Sequence, residues 1–94
     1  MTKNVIVRTY SAGCFAGQMV KRAGKEVTLK NARRLWMWSG AASLSQLAQS
    51  GTSNPGGCKF PEAVSEIVLT EAIEIIAMTP AAVKSIAAVP TWKL

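Results

Sequence analysis

The sequence contains no histidine and no aspartate, and these two absences exclude many catalytic sites. Triads that need an imidazole base, and metal sites built on histidine, lack their central residue. The five acidic residues are all glutamates. Glu71 and Glu74, if they lie on one strand, point to opposite faces and could not flank a single bond. We therefore expect a protein that binds rather than catalyses, with no catalytic residue, no metal and no cofactor.

Cysteines and uninterrupted apolar runs are also scarce. Cys14 and Cys58 are far apart and have no neighbouring ligand residues, which predicts free buried thiols in a reducing compartment. Residues 35–58 carry no formal charge, but serine, threonine, asparagine and glutamine interrupt them, so we expect no membrane span. The first five residues alternate instead of forming an apolar block, so we expect no secretory signal and a cytoplasmic protein.

What is present is typical of a small globular domain. The chain has 94 residues, of which 49% are hydrophobic and 17% charged, and it includes three tryptophans. This length predicts one domain, residues 1–94, with a single core. Because so small a core leaves little margin of stability, association with further copies of the chain would help, and we expect a homo-oligomer.

The charge is strongly positive and unevenly distributed. The net charge is +6; residues 1–59 hold nine Lys or Arg and one Glu, net +8, whereas residues 60–94 hold two Lys and four Glu, net −2. Such a surface attracts anions to one side and permits head-to-tail contact between copies. An ordinary solvated basic face is the alternative interpretation.

The pattern of β-branched residues predicts most of the strands. The first three strands are joined by short polar turns and should form an antiparallel meander. Residues 31–34 interrupt the pattern before a further strand candidate that contains two tryptophans. Residues 64–77 are ambiguous, but their isoleucines and valines favour two short strands or one bent strand over a helix. The predicted strands of the first part are Val5–Tyr10, Cys14–Val20, Glu26–Leu29 and Leu35–Trp38.

Two short helices complete the prediction. Ala41–Ala48 places Leu44 and Leu47 on one stripe, and a loop rich in glycine follows it. Thr79 followed by Pro80 is typical of a helix start, because the hydroxyl accepts a hydrogen bond from a free amide and the proline ring has a helical φ. Pro90 should end this second helix. The sequence thus predicts an α+β fold, in which a small antiparallel sheet of four to six short strands accompanies two short helices.

One stretch of sequence combines the groups that a nucleotide needs. Arginines take phosphate oxygens bidentately, indole rings stack on bases, and a helix start offers free amides. The alternative is that the tryptophans belong to the core or an interface, and that the arginines and the polar loop are simply solvated. The candidate ligand-binding residues are Arg33, Arg34, Trp36, Trp38, Ser43, Ser45, Gln46, Thr52, Ser53 and Lys59.

Four segments, residues 25–36, 38–48, 58–61 and 85–90, resemble a family of small tailed-phage proteins of unknown function. The resemblance implies a phage gene expressed in a host bacterial cytoplasm, and it brings no catalytic residues with it. Some small phage proteins without enzyme motifs are inhibitors of host defence, including oligomeric sponges that sequester immune-signalling nucleotides. By analogy, this basic domain is a candidate for such an anti-defence protein.

Three hypotheses follow from the sequence. The first is a non-enzymatic, homo-oligomeric sponge that sequesters an anionic nucleotide. The second is a nucleic-acid-binding phage protein that uses its basic half as a backbone-tracking surface. The third is a protein-binding inhibitor or minor virion component that docks through an apolar patch formed by Trp36, Met37 and Trp38.

Overall fold

The computed structural model describes residues 3–93 and confirms the α+β class. Five antiparallel strands form one sheet in the order β4-β3-β2-β1-β5, and two short helices pack on one of its faces. All paired neighbours are antiparallel, and β1, β2 and β3 form the predicted meander. The strands are β1 Lys3–Thr9, β2 Cys14–Ala23, β3 Glu26–Arg34, β4 Val64–Leu69 and β5 Ala72–Ala77.

The third strand differs from its prediction. The sequence predicts an interruption at residues 31–34 and a new strand at Leu35–Trp38, but β3 continues to Arg34. A bulge absorbs Asn31, which has a left-handed φ of 51°. The predicted strand Leu35–Trp38 is not present. Within these four residues only Met37 pairs, through an isolated bridge to Lys59, so this prediction was wrong. Asparagine is one of the few residues that tolerate this backbone region, so β3 continues past Asn31 instead of ending there.

The ambiguous segment forms two strands, as its β-branched residues predict. Only Thr70 and Glu71 connect β4 to β5, yet these strands pair with β3 and β1 at opposite edges of the sheet. Such a short connection between the two edges requires the sheet to curl, so that its edges meet near this turn.

The concave side of the curled sheet holds its own core. Seven residues on this side are at most 4% exposed, although both helices pack on the opposite, outer face. The curvature of the sheet therefore shields these side chains from water, as a covering layer of helices does for a flat sheet. The members of this inner cluster are Val5, Val7, Phe15, Val27, Leu29, Ala32 and Leu69.

The helices cover the outer face. Helix α1 spans Leu44–Ser50 and begins later than the predicted Ala41, because Ser43 is extended and caps it. Helix α2 spans Pro80–Ala87, and Thr79 caps it by accepting a hydrogen bond from the Ala82 amide at 3.1 Å, as its sequence predicts. The outer cluster beneath them contains Ile6, Ala16, Leu35, Leu47, Ala48, Cys58, Phe60, Ile86 and Val89.

The tail after α2 docks on the domain rather than trailing. Thr91 forms a bridge with Phe60, and the Trp92 amide donates to the Phe60 carbonyl at 2.9 Å. Leu94, the end of the predicted tail, lies outside the described residues. Within residues 3–93, neither helix is long and apolar enough to cross a membrane.

Candidate functional site

A groove runs along α2 on the outer face of the sheet. It consists of two adjoining cavities of about 400 and 470 Å³. We call them the amide cavity and the lysine cavity. Both are lined by Asn4, Met78, Val83 and Ala87, so they lie side by side along the helix, and we refer to the two together as the groove.

The chemistry of the two cavities differs. The amide cavity is lined by Gln18, Asn31 and Arg33 over apolar side chains from α2, and the lysine cavity by Lys3 and Lys84. None of the described residues that line either cavity is acidic. The groove therefore combines an apolar floor, neutral amides and positive charge, which suits a partly apolar anion.

Two amide side chains meet across the sheet inside this groove. Gln18 on β2 and Lys30 on β3 are register partners, and the bulge at Asn31 brings the next side chain to Gln18. The Asn31 Nδ2 group donates to Gln18 Oε1 at 3.1 Å. The bond fixes both amides beside the cavity that they line.

Arg33 is a structural clamp whose donors are nearly all in use. Its guanidinium donates to four backbone carbonyls: Pro61 at 3.2 Å, Phe60 at 3.2 Å, Ile86 at 2.9 Å and Val89 at 2.7 Å. Burial lowers the pKa of Arg33 from its usual value, and the nearby Cys58 acts against that shift. Only one of the five N–H groups is left for a ligand, so the bidentate phosphate contact that the sequence predicts for Arg33 is not available.

Arg34 lies on the other face of β3. Its guanidinium carbon is 4.4 Å from the centroid of the Phe15 ring, and Nη1 donates to the Ala12 carbonyl. Arg33 and Arg34 therefore do not form one phosphate-binding pair, because adjacent strand residues point to opposite faces. Arg34 instead stacks on Phe15, a member of the inner cluster.

The polar residues around the start of α1 serve the helix itself. The Ser43 hydroxyl accepts a hydrogen bond from the backbone amide of Gln46 at 3.2 Å. The side-chain oxygen of Gln46, Oε1, accepts one from the backbone amide of Ala42 at 2.8 Å. This reciprocal arrangement is close to a capping box. Ser45 is exposed on the first turn. Because the backbone amide of Gln46 already donates to Ser43, the start of α1 offers a ligand fewer free backbone amides than the sequence suggests.

The loop after α1 is hydrogen-bonded to the segment that precedes the helix. The Thr52 hydroxyl donates to the Ser39 carbonyl, and the Ser53 hydroxyl donates to the Gly40 carbonyl at 3.1 Å. The Cys58 thiol sits in the same network, where it accepts from the Ser39 amide at 3.4 Å. These contacts tie residues 39–40 to residues 52–58.

The aromatic candidates lie apart from the groove. Trp38 is half-buried against the outer cluster, whereas Trp36 is 64% exposed and Met37 43% exposed. Lys59 pairs with Met37 through the isolated bridge, and its Nζ lies 5.5 Å from the centroid of the Trp92 ring. Trp36 and Met37 are therefore two consecutive exposed apolar residues, and the backbone of the second pairs with Lys59.

Of the ten predicted site residues, only Arg33 lines the groove. Sequence reasoning missed Lys3, Asn4, Gln18, Asn31 and Lys84. A usable signal existed for two of them: Gln18 is a polar residue within an apolar strand, and Asn31 interrupts a strand pattern.

The thiol of Cys14 is poorly suited to nucleophilic chemistry. Burial raises its pKa, with Arg8 opposing the shift and Glu74 adding to it. Since the thiolate is the reactive form, Cys14 stays protonated at neutral pH. Glu74 itself is paired with Arg8 at 3.1 Å. In the part of the chain that the structure covers, no three His, Cys, Asp or Glu side chains gather to hold a metal ion.

Comparison with known proteins places the chain in a family without naming an activity. No curated protein and no solved structure matches it. One family model, described as a domain of unknown function, matches residues 2–86. Because this match covers nearly the whole of the 94 residues, the chain belongs to that family, DUF6948.

Proposed function

We propose that this domain is a non-enzymatic binding protein that sequesters an anionic nucleotide in the groove along α2. The observation that carries the proposal is the lining of the groove: apolar side chains and amides in one cavity, lysines in the next, and no acidic group among the described lining residues. A nucleotide has the same sequence of parts, a flat base followed by a charged phosphate.

The size of the groove supports this proposal. Each cavity lies within the range of about 300–1,000 Å³ that is usual for small-molecule sites. The base would occupy the amide cavity, against the apolar side chains of α2, and the phosphate would lie near Lys3 and Lys84. Lysine binds phosphate as a mobile point charge, so two of them suit a ligand held at the rim.

Sequestration without turnover agrees with the chemistry of the side chains. The chain has no histidine or aspartate, Cys14 has a raised pKa, and Glu74 is occupied by Arg8. A receptacle needs none of the groups that a catalyst requires.

The resemblance of four sequence segments to small tailed-phage proteins supports a more specific proposal. In it, the domain is a phage anti-defence protein that acts in the host bacterial cytoplasm as a homo-oligomeric sponge for an immune-signalling nucleotide. The separation of charge along the chain, net +8 before residue 60 and net −2 from there on, supports contact between copies.

Removing the two lysines tests the site. The double variant Lys3→Ala/Lys84→Ala should bind ADP-ribose or a cyclic dinucleotide roughly tenfold more weakly than the wild type, because it loses both charge-assisted phosphate contacts. Isothermal titration calorimetry at fixed ionic strength measures the change.

A matched control separates the site from general electrostatics. The variant Lys21→Ala/Lys25→Ala loses the same charge from two exposed positions, one near the end of β2 and one in the β2–β3 turn, neither of which lines the groove. It should keep wild-type affinity. Equal weakening of both variants, together with tight binding of single-stranded DNA, would replace the proposal with nucleic-acid binding; no heat with any nucleotide would refute it.

A second candidate function, protein binding, is favoured by the exposure of Trp36 and Met37. Large apolar side chains at 64% and 43% exposure are typical of contact surfaces, and the small core gives a reason for self-association. We expect Trp36→Ala to shift the protein toward monomer in sedimentation velocity, with little change in the free energy of unfolding. A wild-type protein that is already monomeric at every concentration would exclude this contact.

A further inference from the structure

We propose that β4 of one copy of the chain pairs with β5 of a second copy, so that the sheet continues from subunit to subunit. This contact goes beyond the proposed function, since it specifies how copies associate and holds whether or not a nucleotide occupies the groove. The backbone and the side chains of the two edge strands both support it.

The two edge strands have unpaired backbone along their outer sides. β4 pairs with β3, β5 pairs with β1, and the two strands stand at opposite ends of the strand order. Within residues 3–93, no turn, loop or helix forms a backbone hydrogen bond to residues 64–69 or 73–77 from outside the sheet. The outward N–H and C=O groups of each edge are therefore open to a further strand.

Neither edge carries the residues that usually prevent such pairing. β4 reads VSEIVL and β5 reads AIEIIA, without proline, lysine or arginine, and each strand has a single glutamate. Glu74 on β5 is paired with Arg8 at 3.1 Å, which compensates its charge. A bulge interrupts only the start of β5, so residues 74–77 form a regular edge. Both edges are thus suited to the addition of a strand.

The side chains of both edges are incompletely covered. Val68 on β4 is 49% exposed, and Ile73 on β5 is 50% exposed. Ile67 on β4 and Ile75 on β5 pack against the inner cluster but are only partly buried. The inner core therefore ends at each edge in an isoleucine that one more strand would cover, so pairing adds apolar burial to the backbone hydrogen bonds.

Pairing of unlike edges fits these side chains better than pairing of like edges. When β4 lies against β5 of a second copy, Ile67 can lie next to Ile75 of that copy, and the inner core continues across the boundary. Pairing of β4 with itself, with matching faces and the best overlap, sets the two copies of Glu66 opposite or diagonal to each other, where like charges repel. Glu66 beside Glu74 costs less, because Arg8 already compensates Glu74.

A second copy is also the occupant that satisfies every open edge. Pairing of like edges would leave either β4 or β5 unpaired in both copies, whereas the unlike pair can repeat until each copy has used both edges. Such an assembly closes as a reciprocal dimer or as a ring. The small core of a 94-residue chain gives a reason for it, because continuation of the sheet adds burial that a single copy lacks.

Two lysine substitutions block one edge each. Val68→Lys places a charge on the β4 edge and Ile73→Lys places one on the β5 edge, and lysine is a residue that natural edge strands use against pairing. Both side chains are largely exposed, so we expect both variants to fold, which circular dichroism checks. In sedimentation velocity, each variant alone should remain monomeric at about tenfold the concentration at which the wild type associates.

Mixing the two variants tests which edges meet. The Val68→Lys chain keeps an unchanged β5 edge and the Ile73→Lys chain keeps an unchanged β4 edge, so an equimolar mixture should form a heterodimer and nothing larger. Ala81→Lys is the control. It adds the same charge at an exposed position on α2, outside both edges, and should associate like the wild type.

The outcomes decide between the possible contacts. A wild type that is monomeric at every concentration, or folded lysine variants that both associate like the wild type, would overturn the proposal, and so would a mixture that stays monomeric. If one variant is monomeric and the other dimerises, like edges pair and the contact between β4 and β5 is wrong. Neither substitution changes a residue that lines the groove, so calorimetry with ADP-ribose reports on the proposed function separately.

Discussion

Replacing Arg33 with methionine should lower the free energy of unfolding by about 3 kcal/mol, because it leaves several partly buried carbonyls without their hydrogen-bond donor. The variant leaves the carbonyls of Phe60, Pro61, Ile86 and Val89 without their shared donor. Since these carbonyls belong to the chain before β4 and to the end of α2, the loss loosens two segments from the sheet together. Urea denaturation followed by tryptophan fluorescence measures it.

Arg34→Met is the matched control for this prediction. It removes the same side chain at the next position, where the guanidinium makes one hydrogen bond to Ala12 and stacks on Phe15. We expect a loss of about 1 kcal/mol, in line with an exposed cation–π contact. Equal destabilisation by the two substitutions would contradict the clamp. A stable Arg33→Met protein that had lost only nucleotide binding would restore the phosphate role that the sequence predicts.

The fold was predictable wherever a local signal carried the structure. Thr79 and Pro80 specify the start of α2 by their own side chains, and the β-branched run in residues 64–77 specifies strands. The continuation of β3 was not predictable, because pairing with β2 and β4 carries the strand through Asn31. Local preference treats that asparagine as a break, whereas tertiary pairing treats it as a bulge.

The candidate site was harder to predict for the same reason. A basic residue before tryptophans suggests a ligand site, but the partners of Arg33 lie 27 to 56 residues further along the chain. No local pattern shows four carbonyls converging on one guanidinium. Similarly, Lys3 and Lys84 lie near opposite ends of the sequence, and they reach one cavity because β1 pairs with β5, the strand that leads into α2.

The second large effect is expected at Gly40, where the chain before α1 touches the loop after it. Gly40 has φ of 80°, and a Cβ there would lie 2.7 Å from Thr52 Oγ1 and 2.9 Å from the Ser53 amide nitrogen, closer than packed atoms allow. The Gly40 carbonyl also accepts from the Ser53 amide at 3.2 Å. Gly40→Ala must therefore push residues 39–40 away from the loop, and we expect a loss of about 3 kcal/mol in the free energy of unfolding.

Gly24→Ala isolates the cause of that loss. Gly24 also has a positive φ, 60°, but a Cβ there would meet nothing within 4 Å, so only the conformational cost of about 1 kcal/mol applies. The difference between the two variants is then the close approach at Gly40. Cys58 provides a second measurement. Its thiol is 7% exposed and accepts a hydrogen bond from the Ser39 backbone amide, next to Gly40. Its alkylation in native Gly40→Ala should be faster than in the wild type or in Gly24→Ala; unchanged alkylation, with equal losses of stability, would mean that the loop does not depend on this contact.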